Sequence, residues 1–111
     1  MLFRSRVRNS VLYPKDPSET LVLTFNFQHI LAVGESISSV VSTTIETFGG
    51  RDSGPSLGIT GITIINVNSP WLVQQPITGG LDGCTYKVKM TVMTNENQIL
   101  SGIAILPVVA Q

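Results

Sequence analysis

Ionic side chains are scarce in this chain. Seven Lys or Arg and seven Asp or Glu make up 13% of its 111 residues, about half the usual proportion of ~25%. A free soluble monomer normally keeps a well-charged surface. Either Ser, Thr, Asn and Gln coat the exterior, or other chains cover it; the second reading is the stronger. The formal net charge is zero, so no global field steers DNA or acidic membranes toward the protein. A single cysteine, Cys84, excludes an intrachain disulfide. No apolar run reaches the ~20 residues of a transmembrane helix. The start, MLFRSRVRN, carries charge without the apolar stretch of a signal peptide, and there is no Asn-x-Ser/Thr acceptor site. Synthesis and assembly in a cytoplasm fit these absences.

Catalytic groups are equally sparse. A hydrolytic triad needs a base beside its nucleophile. The one histidine, His29, lies in an apolar link between Gln28 and Ile30 and reads as a packing or hydrogen-bonding group. One His and one Cys far apart do not make a zinc site. Asp52 and Asp82 lack the spacing of a calcium loop. Gly79-Gly80-Leu81-Asp82-Gly83 lacks the Lys and Ser/Thr of a phosphate loop. The expectation is no catalytic residue, no metal, no cofactor and no small-molecule substrate.

What the chain does contain is alternation. In Gly79–Thr94, GGLDGCTYKVKMTVMT, a glycine corner precedes Tyr86, Val88, Met90, Val92 and Thr94 on one face of a strand and Lys87, Lys89, Thr91 and Met93 on the other. A tyrosine just after such a corner matches the tyrosine corner of immunoglobulin-like sandwiches. Gly80, Gly83 and Tyr86 are the expected corner. Further strands are expected at 21–27, 37–46, 59–65, 71–77 and 98–109, with a helical turn within 28–33, a loop over 48–58 and a hairpin turn at Asn95-Glu96-Asn97. Pro76 argues for an edge or bulge, and Gly102 for a bulge. The fold class is therefore all-β: an immunoglobulin-like antiparallel β-sandwich over residues 18–111, preceded by an extended N-terminal arm over residues 1–17. Its expected core includes Leu21, Leu23, Phe25, Ile37, Ile62, Ile64, Trp71, Val73, Val88, Ile103 and Ile105. Trp71 as a core residue outweighs Trp71 as a sugar-stacking platform.

Charge is unevenly placed. Arg4, Arg6 and Arg8 stand in the first eight residues with no acidic neighbour. Three arginines supply too few phosphate contacts for nucleic-acid binding. With Tyr13, and with Arg51 in the 48–58 loop, they are candidates for a protein–protein interface.

The order of motifs adds a resemblance. Lys15-Asp16-Pro17-Ser18-Glu19 precedes a strand ending in Phe25-Asn26-Phe27. Gly34-Glu35-Ser36-Ile37, Gly79-Gly80, the Gly83/Tyr86 corner, Thr94 and Leu106-Pro107-Val108 follow. Over about residues 14–109 the chain resembles the phage fibre–tail adaptors, small immunoglobulin-like virion proteins of tailed bacteriophages. It departs from them where their aspartate–tryptophan pair is Asn26-Phe27 or Gln28-His29, and in a longer middle segment. The resemblance implies a non-enzymatic virion subunit at the tail or head–tail junction. It would be present in several copies on a ring, contacting other ring subunits and a fibre, with no membrane or nucleic-acid partner. A head decoration protein and a surface carbohydrate-binding or adhesion sandwich are the alternatives on the same scaffold.

Overall fold

The computed structural model describes residues 10–11 and 14–110. Among them are β1 (Ser10–Val11), β2 (Thr20–Asn26), β3 (Ile37–Gly49), β4 (Leu57–Ile59), β5 (Ile64–Ile65), β6 (Leu72–Gly79), β7 (Cys84–Thr94) and β8 (Ile99–Val108). One sheet runs β1-β8-β7-β3; the other runs β2-β6-β4, with β5 also on β6. Pairing is antiparallel except between β1 and β8, which are parallel. Immunoglobulin sandwiches pack a B-E-D set against a C-F-G set. Here β2, β6 and β4 stand in the first order and β3, β7 and β8 in the second.

The alternation of β7 makes it the centre of its sheet. Cys84, Tyr86, Val88, Met90, Val92 and Thr94 are all buried, and the residues between them are not. In β2, Leu23 and Phe25 turn inward while Val22, Thr24 and Asn26 face out. The β7–β8 hairpin closes on Asn97, at φ +60°, a left-handed angle that asparagine tolerates. Thr94 Oγ1 accepts from the N–H groups of Glu96 and Gln98 in that turn. A short 3-10 turn, Gln28–Ile30, follows β2.

The sheets enclose a core of Leu23, Phe25, Phe27, Ile37, Leu57, Val73, Ile77, Tyr86, Val88, Met90, Val92, Leu100, Leu106 and Val108. One polar group crosses it. Gln75 of β6 is fully buried, accepts from Thr43 of β3 at 3.2 Å and from Thr63, and donates to the Pro76 carbonyl. Every polar end of its amide is satisfied, as a buried amide requires.

Several expectations are corrected. The strand expected over 59–65 is two short strands, with Gly61 at φ +73° between them. Ile62 and Ile64 are therefore 76% and 48% exposed; Leu57 and Ile77 fill the core instead. Trp71 is half-buried. It precedes the first residue of β6 and is not among the side chains that form or pack against the core. Pro76 lies within a central strand, not at an edge. Its nitrogen faces the gap between β4 and β5, where its carbonyl accepts from Thr60 N–H at 3.1 Å, so no ladder bond is lost. Gly102 makes no bulge: the β7–β8 register is continuous. A side chain there would meet the Phe27 ring at 3.4 Å. Sheet pairing also begins before residue 18. β1 and Lys15 both pair with β8, so the segment read as an arm contributes backbone to the sandwich.

Candidate partner-binding site

Chain geometry gathers three segments at one end of the sandwich: the β3–β4 loop, the β6–β7 corner and the turn that leads from Lys15 into β2. The corner needs glycine twice. Gly79 (φ +85°) approaches the Ser56 carbonyl so closely that a Cβ would lie 2.6 Å from it. Gly80 (φ +103°) would place a Cβ 2.8 Å from Val108 Cγ2. This brings Tyr86, the third residue of β7, under the corner. Its hydroxyl accepts from Leu81 N–H at 2.8 Å and donates to Asp52 Oδ2 at 2.5 Å.

Asp52 organises the β3–β4 loop around that bond. Its Oδ2 also accepts from the Ser56 N–H and hydroxyl, each at 2.8 Å. Its carbonyl accepts from Thr47 Oγ1 at 2.5 Å. The Tyr86 hydroxyl, then the two Ser56 donors, hold the Asp52 carboxyl below the usual aspartate range. Burial, followed by the bond to Asp52, pushes the Tyr86 phenol up. The pair thus stays a neutral phenol donating to a carboxylate.

The anchored loop presents an open concavity of about 560 Å³, lined in part by Ile45, Thr47, Gly50, Arg51 and Pro55. Arg51 is exposed there, and Phe48, near the end of β3, is 61% exposed. Glu46 and Lys87 pair across the neighbouring sheet face at 3.0 Å, an exposed contact of little energetic weight. Such a surface can offer a cation and an aromatic ring to a partner.

Lys15 closes the same end. It is buried, and its Nζ donates to the carbonyls of Gly79 (2.7 Å) and Asp16 (2.8 Å). Its backbone bonds Pro107 and Val109 at 2.9 Å. Burial lowers its pKa; Glu19 and then Asp16 partly offset that. Asp16 Oδ2 accepts from Ser18 N–H and the Glu19 carboxylate accepts from Asp16 N–H, so the whole run from Lys15 to Glu19 forms one turn. At the opposite end the Glu35 carboxylate braces the chain in a similar way, accepting from Ala32 N–H and from the Thr94 hydroxyl.

Of the candidate interface residues, Arg51 lies on the anchored loop, and Arg4, Arg6, Arg8 and Tyr13 lie outside the described residues. Phe25 and Val88 are buried, and Gly80, Gly83 and Tyr86 form the corner. Cys84 and His29 are at opposite ends of the sandwich, roughly 30 Å apart along the eleven residues of β7. Asp52 and Asp82, weighed together as calcium ligands, bind elsewhere: Asp52 takes Tyr86 and Ser56, and Asp82 Oδ1 takes the N–H of Ala110. Among the described residues no three His, Cys, Asp or Glu side chains gather as a metal set. Sequence reasoning missed the Tyr86–Asp52 link and the burial of Lys15. The partners of the first are 34 positions apart, and a lysine between Pro14 and Asp16 reads as solvated.

Fold and site together define an immunoglobulin-like scaffold with a tethered loop. The family model described as Podophage GP4 fiber-tail adaptor protein gp77 matches residues 15–107, and the chain belongs to that family of phage fibre–tail adaptors. No curated protein and no solved structure matches it.

Proposed function

We propose that the protein is a non-enzymatic structural subunit of a bacteriophage virion. In this reading several copies occupy the tail or head–tail connector ring and attach fibres there, after assembly in the host cytoplasm. The carrying observation is the family match, which spans nearly the whole sandwich from Lys15 to Pro107. Two physical features support it. The scarcity of charge suits a surface covered by other subunits, and the Asp52 tether holds Arg51 in a preorganised loop, which lowers the entropy lost on docking. Arg4, Arg6, Arg8 and Tyr13 complete the proposed contact set with Arg51.

The test uses tail particles purified from a phage lacking this subunit. The chain is added with and without purified fibre, and co-sedimentation is measured. The reading requires the chain to bind particles and fibres to bind only after it has. Fibre attachment that does not depend on the chain would refute it. Turnover of a glycan or peptide by the purified chain would refute the non-enzymatic part.

A further inference from the structure

β2 is the end strand of its sheet. β6 lies on one side, and among the described residues no strand lies on the other. In immunoglobulin sandwiches strand A occupies that side; here the segment before β2 pairs with β8 of the opposite sheet instead.

Pro76 shows which groups the open edge offers. It stands opposite Val22, and its carbonyl points to Thr60 on the far side. The N and O of one strand residue point the same way, so the Val22–Pro76 pair exchanges no hydrogen bonds. The N–H and C=O of Val22 therefore face the open edge, and by the two-residue period so do those of Thr20, Thr24 and Asn26. Their side chains are exposed, Val22 to 57%, whereas Leu23 and Phe25 point inward. The β2–β6 register has no bulge, and β2 contains no proline or charged residue. Those are the usual devices that protect an edge from strand addition.

The chain itself supplies a complementary sequence. Nine residues precede Ser10, and within them Phe3, Ser5 and Val7 alternate with Arg4, Arg6 and Arg8. Against β2, that alternation sets Phe3, Ser5 and Val7, two of them apolar, beside Leu21, Leu23 and Phe25 and the arginines on the solvent face. The chain's own β8 is a poor site. Continuing the Ser10↔Ala104 register brings Arg8 opposite Gly102 and Arg6 opposite Leu100, both buried, where unpaired charge is costly. Its own β2 is poor too. The chain would have to cross the ~10 Å between sheets just before Ser10, and residues 4–9 hold no glycine or proline to turn that corner. The β2 of another copy demands neither.

We propose that residues 3–8 of one copy add as an edge strand to β2 of the next. The contact is head-to-tail, so repetition closes a ring or extends a filament. The proposal rests on the adaptor reading for its expectation of a ring, and it names the surface that builds one.

Two full-length variants test it. Val22→Pro removes an N–H from the open edge and leaves the β6 ladder intact, a position where edge strands accept proline. Val7→Asp spoils the apolar face of the donor. By native mass spectrometry at micromolar concentration the unaltered chain should be oligomeric. Each variant alone should be monomeric, with the oligomer fraction reduced at least about tenfold. Mixed, they should form a 1:1 dimer, because one retains a donor and the other an acceptor. An unaltered chain that stays monomeric, oligomers unaffected by Val7→Asp, or a mixture that stays monomeric each overturns the proposal. Should Val22→Pro unfold by circular dichroism, the Val7→Asp result decides. Binding of the unaltered chain to tail particles is scored separately, so strand exchange can fail while the adaptor role stands, and the reverse.

Discussion

Tyr86 and Asp52 are joined by a 2.5 Å hydrogen bond that ties the β3–β4 loop to the start of β7. The same hydroxyl accepts from Leu81 N–H, so one oxygen holds both the corner and the loop. This turns a general feature of the fold, a tyrosine that braces its own corner, into a device that fixes the surface around Arg51.

Tyr86→Phe should therefore act beyond its own position. It leaves the Leu81 N–H without its partner and takes a donor from Asp52, at a cost of about 1–3 kcal/mol. Urea denaturation measures the loss, and amide exchange should quicken from Arg51 to Ser56. A variant with unchanged stability and exchange would remove the tether from the account.

Acid should loosen the same link. The folded-state pKa of Asp52 lies below its ordinary value of 3.8, so its contribution to stability is complete above that value and is lost as pH falls through and below it. In Asp52→Asn the acid limb of the stability curve should be shallower. Thermal melts at descending pH compare the two, and parallel curves would contradict the assignment.

Lys15 predicts a slope of the same sign in alkali. Its folded pKa is lowered from 10.5, so the native state releases the proton first and stability rises as pH climbs toward 10.5. The Tyr86 phenol, raised above 10.0, opposes this, because the unfolded chain ionises first and stability falls above that pH. The difference between the parent chain and Lys15→Met isolates the lysine: the parent should gain on the variant as pH rises. A constant difference would show that Lys15 is not buried as a cation.

Gly80→Ala should be far more damaging than Gly54→Ala. At Gly80 the left-handed backbone costs about 1–2 kcal/mol for an L-residue, and the new Cβ would press on Val108 at 2.8 Å. At Gly54 nothing lies within 4 Å, and a surface change of this kind stays within about 0.5 kcal/mol. Denaturant midpoints of the two variants give the comparison.

The sandwich was legible where one side of a strand is wet. From Tyr86 to Thr94 and from Leu21 to Phe27 the two-residue period survives in the sequence, because one face meets the core and the other does not. It was illegible around Ile59–Ile65, where β-branched residues imitate a buried strand but Gly61 breaks the run and leaves Ile62 in solvent. Pro76 misled for a similar reason: a missing N–H bars a central strand only where that nitrogen would face a neighbouring strand, and here it faces a gap. The loop tether was hidden because its partners meet only after the sheets have packed. Lys15 was hidden because the carbonyls that receive its ammonium belong to the backbone, which leaves no mark in the residue pattern.

The adaptor role is tested most directly by electron microscopy of phage particles carrying a small label at the C-terminus of this chain. The account predicts label in a ring where the fibres join the tail or its connector, and loss of fibre density when the subunit is absent. Label spread over the head surface, or particles whose fibres remain in place without the subunit, would contradict it.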